Sequence, residues 1–237
     1  FLQKELDKLN ILYSGSGPAA CANTWDKGLT KKILDLNKIN TPNSIEIDQF
    51  TKEISEAGLH SSIFDPLRPF DSIFLKPKED GSSVDIFKIF DDNSLKQAYK
   101  KCLNPNRGFL FQEFIKGKEL TVTVIDNVCF PPIEIITNNE FYDYEAKYIS
   151  NDTLHIEADL NEDEIKEIKE ISLKAFKSLG CKAWARVDLF QDTDKNFFII
   201  EINTVPGMTS HSNVPKSGSL INLSYSDVVQ RIIHASL

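Results

Sequence analysis

The sequence predicts an α+β fold built on antiparallel sheet. Two apolar runs near the carboxy terminus, WARVDLF from Trp184 and NFFIIEIN ending at Asn203, flank a polar turn around Asp194 and Lys195 and read as a hairpin. Two further pairs occupy the middle of the chain, SIFLKP from Ser72 with VDIFKIF from Val84, and GFLFQEFI with ELTVTVID, each pair joined by a short polar loop containing Gly. Helical spacing is confined to segments that separate or follow these runs.

Taken in order, residues 24–38 start at a Thr or Asp cap and place Leu29, Ile33, Leu34 and Leu36 at near-helical intervals. A short strand from Ser44 to Ile47 follows Pro42, then a mixed segment to Gly58. Ser94 opens a helix to about Leu103. Residues 137–155 show neither helical nor strand period, which marks a functional loop or a surface excursion. Asn161 and Glu164 form a capping pair for a helix with an apolar stripe at Ile165, Ile168, Phe176 and Leu179, ended by Gly180. SYSDVVQRIIHASL closes the chain as a helix. No internal repeat or low-complexity segment is visible.

The 237 residues suffice for one large domain or two small ones, and 41% apolar content is that of a globular chain. A formal charge of -8 argues against a nucleic-acid or anionic-membrane surface, so an anionic ligand must be met by locally placed cations, amides or metal. Cys21, Cys102, Cys129 and Cys181 have no paired spacing and read as reduced thiols of a cytoplasmic protein rather than a disulfide or zinc framework. No apolar run approaches the roughly 20 residues of a membrane span, and FLQKELDKLN lacks the order of a secretory signal, so a soluble protein is expected. The chain opens on Phe1 rather than Met, as a processed piece or a fragment of a longer protein would.

Alternation along a strand turns Glu201 and Asn203 to one face, and Arg186 and Asp188 likewise share a face. If the hairpin centres between Asp194 and Lys195, position 188 lies opposite 201, and Asp188, Glu201 and Asn203 converge with Arg186 close by. Such an oxygen-only set is what Mg²⁺ prefers. The alternative is a simple Asp188 and Arg186 ion pair, with Glu201 a carboxylate in water.

Three lysines are candidates for phosphate contact. Lys27 sits in the first turn of its helix, where the dipole disfavours a cation, which points to another use. Lys76 ends a strand just before Gly81, Ser82 and Ser83, a loop that could cover a phosphate or simply close a hairpin. Lys147 lies in the long aromatic loop, where the ordinary reading is a solvated side chain.

Six segments stand in order along nearly the whole chain: YSGSGPAACANTWDK, FLKPKEDGSSV, FQEFIKGKELTV, FYDYEAKY, ARVDLF and EINTVPGMTSHSNVP. Together they resemble the D-alanine-D-alanine ligase family of the ATP-grasp enzymes. The resemblance implies an ATP-grasp fold, two α+β subdomains with antiparallel sheets gripping ATP between them. It divides the chain into 1–20, a linker from an amino-terminal domain, 21–111, a central subdomain with the phosphate loop, and 112–237, a carboxy-terminal subdomain. By position, Lys27 and Lys76 would hold ATP phosphates with Ser82 and Ser83 covering them, and Gln112, Glu113, Phe114 and Ile115 would line the adenine. Glu119 would bind the ribose, Phe141 and Lys147 would complete the nucleotide site, and Tyr148 would sit in a closing loop. Asp188, Glu201 and Asn203 would hold two Mg²⁺ ions, with Mn²⁺ as a substitute. Arg186 and the Gly207 amide would stabilise the tetrahedral oxyanion, and Ser212 would bind the carboxylate of the second D-alanine.

The implied role is D-alanyl-D-alanine formation in the cytoplasm for peptidoglycan and cell shape, with ATP and D-alanine as partners, no nucleic acid or membrane, and a homodimer allowed. The chain departs from the family in lacking its amino-terminal domain of very roughly 80 residues, and in carrying Asp80 for Glu, Asp85 for Gly and Gln112 for an acidic adenine contact. Gln retains an acceptor and adds donors. Another carboxylate-amine ligase and a non-catalytic nucleotide-binding remnant are the alternatives.

Overall fold

The structure, a computed structural model, describes residues 2–81, 84–137 and 153–237. They build two antiparallel sheets, each with its own core. The smaller sheet orders β1 (Ser44–Ile47), β4 (Phe109–Glu113), β2 (Ile73–Pro77) and β3 (Phe87–Ile89). The larger runs β10 (Phe197–Asn203), β9 (Trp184–Asp192), β5 (Gly117–Ile125), β7 (Ile133–Ile136) and β8 (Leu154–Glu157), with β6 (Val128–Cys129) paired to β5. The division expected at 111/112 falls inside β4.

Aromatic residues hold the smaller core. Phe111 meets Phe50 and Phe64 edge to face at 5.8 and 4.8 Å between ring centroids, the geometry that ring quadrupoles favour. All five residues of β4 are buried, because its Phe, Leu, Phe run lies at the centre of the sheet with cover on both faces. Helices α4 (Lys52–Ala57) and α5 (Asp92–Lys101) pack against one another beside it. Asp91 rather than Ser94 caps α5. Its carboxylate accepts from the Ser94 amide at 2.6 Å, while Ser94 Oγ accepts from the Asp91 amide at 3.0 Å, so Ser94 is the third helical residue of a capping box. The strand expected from Val84 begins only at Phe87, since Asp85 has φ +56° and lies in a turn.

The larger core is aliphatic. Leu120, Val122, Val187, Leu189, Ile199 and Ile202 of the sheet pack against α6 (Glu162–Ser178), and Ala20 of α2 (Pro18–Trp25) and Leu34 of α3 (Lys27–Leu36) join them. The Asn161 and Glu164 capping box forms at 2.9 Å in both directions, and Gly180 takes φ +75° after the helix ends. Val214 of α7 (Asn213–Ser219) and Val228 and Ile232 of α8 (Tyr225–Ser236), the latter helix capped by Ser224, pack with Ile125 and Trp184 of the larger sheet, and α1 (Leu2–Lys8) has no buried residue. No helix among the described residues is long and apolar enough to cross a membrane. The four cysteines are free, and burial pushes the Cys129 and Cys181 thiols up to about 11 and about 12.

The β9/β10 hairpin differs from its simplest reading in one respect. Around the turn the pairs are Phe197 with Gln191 and Ile199 with Leu189, which centres it on Asp194. After Ile200 the register shifts by one, and Glu201 stands opposite Asp188 with Asn203 opposite Arg186. The facing expected from a centre between Asp194 and Lys195 is thus correct for the polar residues, but a β-bulge at Ile200 produces it.

Gly117 begins β5 at the point of closest approach to β9. A Cβ there would lie 1.9 Å from the Gln191 carbonyl oxygen, so the two backbones would have to part. Gly117→Ala is expected to destabilise the protein by about 1–3 kcal/mol as an overpacked site does, read as a fall in Tm of roughly 2–4 °C for each kcal/mol. An unchanged Tm would refute the assigned contact.

Candidate active site

The larger sheet turns one face to a row of polar side chains. In β9 Ala185, Val187, Leu189 and Gln191 are buried on one face, and Arg186 and Asp188 face the other way, with buried Trp184 ahead of them at the same parity. In β10 Phe197, Ile199 and Ile202 are buried while Glu201 and Asn203 face with Asp188. Thr121 of β5 pairs with Asp188, and its hydroxyl donates to Asp188 Oδ1 at 2.7 Å.

Asp188 is the hub. The Arg186 guanidinium donates from Nε to Oδ1 at 2.8 Å and from its terminal nitrogen to Oδ2 at 2.7 Å, a bidentate pair with the two side chains 23% and 14% exposed. Asn203 Nδ2 donates to Asp188 Oδ2 at 2.8 Å and to Glu201 Oε1 at 3.4 Å, so one amide spans both carboxylates. Asp188 thus pairs with Arg186 and also converges with Glu201 and Asn203. Two carboxylates and an amide make a donor set that fits a hard divalent cation whose remaining positions are filled by phosphate and water. Among the described residues no group of three or more His, Cys, Asp or Glu could hold a metal, so a cation here depends on the Asn203 amide and on its ligands.

Across from this face, one narrow cleft is lined by Lys27, Lys31, Lys76, Gln112 and the bulged Ile200. The structure thus gathers Lys27 and Lys76, 49 positions apart, in one cleft with Ile200, the residue before Glu201 in β10. Lys76 is 6% exposed. Lys27 Nζ donates to the Asp80 carbonyl at 2.6 Å, and its amide to the Lys78 carbonyl at 3.0 Å, which ties the start of α3 to the loop after β2. The N-cap of α3 is Asp26, whose side chain accepts from the Leu29 amide.

Gln112 is buried in the cleft, and Glu113, also buried, is tied to Asn43 twice: its carboxylate accepts from Asn43 Nδ2 at 2.8 Å and its amide donates to the Asn43 carbonyl at 2.9 Å. Phe114 stacks edge-on against Phe74 with Lys88 Nζ 4.6 Å from its ring centre, and Ile115 is 9% exposed. Glu119 stands opposite Phe190, on the same face as Thr121 and Asp188. Ser212 Oγ accepts from the Thr209 amide at 3.0 Å, and a Cβ on Gly207 would lie 3.1 Å from that oxygen, so Gly207 and Ser212 are brought side by side. Ser82, Ser83, Phe141, Lys147 and Tyr148 lie outside the described residues.

Three participants escaped sequence reasoning. Thr121 shares parity with Glu119, a signal that was available. His155 of β8 stands opposite Ile135, itself opposite Glu119; burial first, then Lys216 and Arg186, push its pKa below the ordinary value against the hydrogen bond with Asn213. Lys216 of α7 is likewise pushed down by burial. No sequence period connects these two to the hairpin.

Residues 69–234 match the family described as D-ala D-ala ligase C-terminus. A D-alanine-D-alanine ligase of a Marinomonas species is 36% identical over 235 residues, 98% of this chain and 71% of that relative. A D-alanine-D-alanine ligase B of Clostridium perfringens is 35% identical, over 100% of this chain and 76% of its own length. Among solved structures, the Bacillus anthracis D-alanine-D-alanine ligase complexed with ATP superposes with a TM-score of 0.81 at 28% identity, covering 99% of this chain and 73% of that one. The VanG D-Ala:D-Ser ligase of Enterococcus faecalis gives 0.84 at 26% identity, covering 100% and 68%. The two antiparallel sheets are those of the ATP-grasp fold, and with the family match covering the larger sheet and β2 to β4 of the smaller one the chain belongs to the D-alanine-D-alanine ligase family of ATP-dependent ligases.

Proposed function

We propose that the chain joins two D-alanines to D-alanyl-D-alanine at the expense of ATP. The observation that carries this reading is the convergence of Asp188, Glu201, Asn203 and Arg186 on one sheet face, together with the cleft that gathers Lys27 and Lys76 with Ile200, the residue before Glu201. In the reaction the γ-phosphoryl group of ATP moves to the carboxylate of one D-alanine, and ADP leaves. The amine of the second D-alanine then attacks the acyl phosphate carbon, phosphate leaves, and the amine proton is released.

Each group has a task that follows from its charge. Lys27 and Lys76 neutralise the triphosphate, with Ser82 and Ser83 over it, and Lys147 and Phe141 complete the nucleotide site. Gln112, the Glu113 main chain, Phe114 and Ile115 line the adenine, and Glu119 accepts from the ribose hydroxyls. Asp188, Glu201 and Asn203 would hold two Mg²⁺ ions, or Mn²⁺ in their place, which when bound would supply charge stabilisation at the transferring phosphoryl group. Arg186 is pre-oriented by Asp188 and presents its remaining donor capacity to the oxyanion that forms on the attacked carbon, where the Gly207 amide also points its charge. Ser212 takes the carboxylate of the second D-alanine. Closure around Tyr148 excludes the water that would hydrolyse the acyl phosphate.

The intact carboxylate pair argues against a non-catalytic remnant, which would have no reason to keep two acidic groups 3.4 Å or less from a shared amide. The subdomains 21–111 and 112–237 serve as the two sides of the nucleotide site, with residues 1–20 leading in. The reaction belongs to the cytoplasm and to peptidoglycan precursor synthesis; a homodimer is allowed, and light scattering reads whether it forms.

With ATP, Mg²⁺ and D-alanine the protein is expected to release phosphate at a rate that depends on D-alanine, and removal of the metal by chelation to abolish it. Phosphate release indifferent to D-alanine would sink the ligase assignment. Glu201→Gln keeps the shape of the side chain and removes its charge, and is expected to lower Mg²⁺-dependent turnover by about 100-fold or more, the scale of losing one electrostatic group at a reacting centre. Near-normal turnover in that variant would remove Glu201 from the metal site.

A further inference from the structure

The loop between β2 and β3 is bracketed by two acidic residues, Asp80 and Asp85, and one side chain from elsewhere in the chain reaches both. Arg107, in the turn between α5 and β4, places one terminal nitrogen 2.5 Å from Asp80 Oδ2 and the other 2.6 Å from Asp85 Oδ2. Asp85 is not a surface charge that happens to lie near the loop. Its side chain is 1% exposed, and its carboxylate also accepts from the Leu103 amide at 2.8 Å and the Asn104 amide at 3.3 Å. Four donors thus meet one carboxyl group and the neighbouring Asp80, which explains how an Asp with φ +56° can stand where the family has Gly without bringing free negative charge to a phosphate site.

The consequence reaches the cleft through Asp80. Burial pushes the Asp80 carboxyl up, but the Gly81 amide and the Arg107 guanidinium outweigh it and hold the group below its ordinary value, so it stays ionised and paired. The carbonyl oxygen of the same residue accepts from Lys27 Nζ at 2.6 Å. A displacement of Asp80 would therefore move the acceptor that orients Lys27. Arg107 itself leans on Phe109 at 5.6 Å, which fixes the direction of the fork.

We propose that Arg107 is a positioning residue for the phosphate end of the nucleotide, acting by clamping Asp80 and Asp85 so that the loop after β2 and the Lys27 ammonium keep their places beside Lys76. The inference rests on the nucleotide reading above and deepens it. It assigns Arg107 no contact with substrate. A Lys at this position could satisfy one carboxylate but could not span two as the planar guanidinium does.

The test compares Mg²⁺-AMP-PNP with AMP by titration calorimetry, since the clamp acts on the polyphosphate end and leaves the adenine pocket alone. Arg107→Ala is expected to weaken AMP-PNP binding roughly tenfold, within the usual range of coupling between sites, with AMP binding unchanged, and Arg107→Lys to fall between the two. Arg107→Ala leaves a buried carboxylate without its cation and could fail to fold. Asp85→Asn covers that case: it keeps an acceptor for the Leu103 amide, tolerates positive φ, and is expected to lower the ratio of AMP-PNP to AMP affinity about threefold. An unchanged ratio in Asp85→Asn, or in a folded Arg107→Ala, overturns the clamp. Failure of the wild-type protein to bind AMP-PNP with Mg²⁺ overturns the nucleotide reading itself, and the clamp with it.

Discussion

The candidate active site depends on one extra residue in one strand. Without the bulge at Ile200, the register set at the Asp194 turn would continue, and Asp188 would face Ile200 while Glu201 turned toward Val187 and the aliphatic core. A slip of one residue exchanges the two faces of a strand, so the same sequence would bury a carboxylate beside Val187, turn Ile202 out of the core to face Arg186, and leave Asp188 without its companion. The bulge absorbs that slip locally. Phe197 and Ile199 keep their places in the core on one side of it, and Glu201 and Asn203 gain theirs in the site on the other. Ile200, released from the pairing, is also the residue that lines the cleft next to Lys27 and Lys76.

Electrostatics follow from the same economy of placement. The chain as a whole is acidic, yet Lys27 and Lys76 are brought to one cleft from separate elements, and Arg186 is held by Asp188 on β9. Each is engaged by protein oxygen or lies buried, so the cations are oriented before any ligand arrives. That is the property expected of a site that must gather two anions, because fixed charges stabilise a transition state without reorganising during the step.

Much of this was readable from residues alone, and the boundary of what was readable is physical. The capping box at Asn161 and Glu164 is local, involving neighbours three apart, and it forms as the sequence indicates. Strand parity is likewise local, so the sharing of a face by Arg186 and Asp188, or by Glu201 and Asn203, needs no tertiary knowledge. The relation between those two pairs is different. It depends on the bulge, which Ile200 does nothing to announce, and the correct facing emerged from a turn centre placed half a residue too late. Ser94 misled because Asp91, three residues earlier, is an equally good cap, and local chemistry alone does not choose between them. The short helix Asn213–Ser219 contains Pro215 and Gly218 and has no helical signature. Arg107 was invisible for a stronger reason: its two partners lie 22 and 27 positions away, and nothing in the spacing of Asp80, Asp85 and Arg107 distinguishes a clamp from three surface charges.

The two cores have a consequence for the protein as a material. An aromatic cluster around Phe111 and an aliphatic one around Val187 share no residue, so heat or denaturant can in principle dismantle one before the other. A ligand seated between the sheets touches elements of both, and by mass action it stabilises only the state in which both are intact. Substrate would then serve as the mortar of the fold as well as its cargo, drawing two melting events toward one.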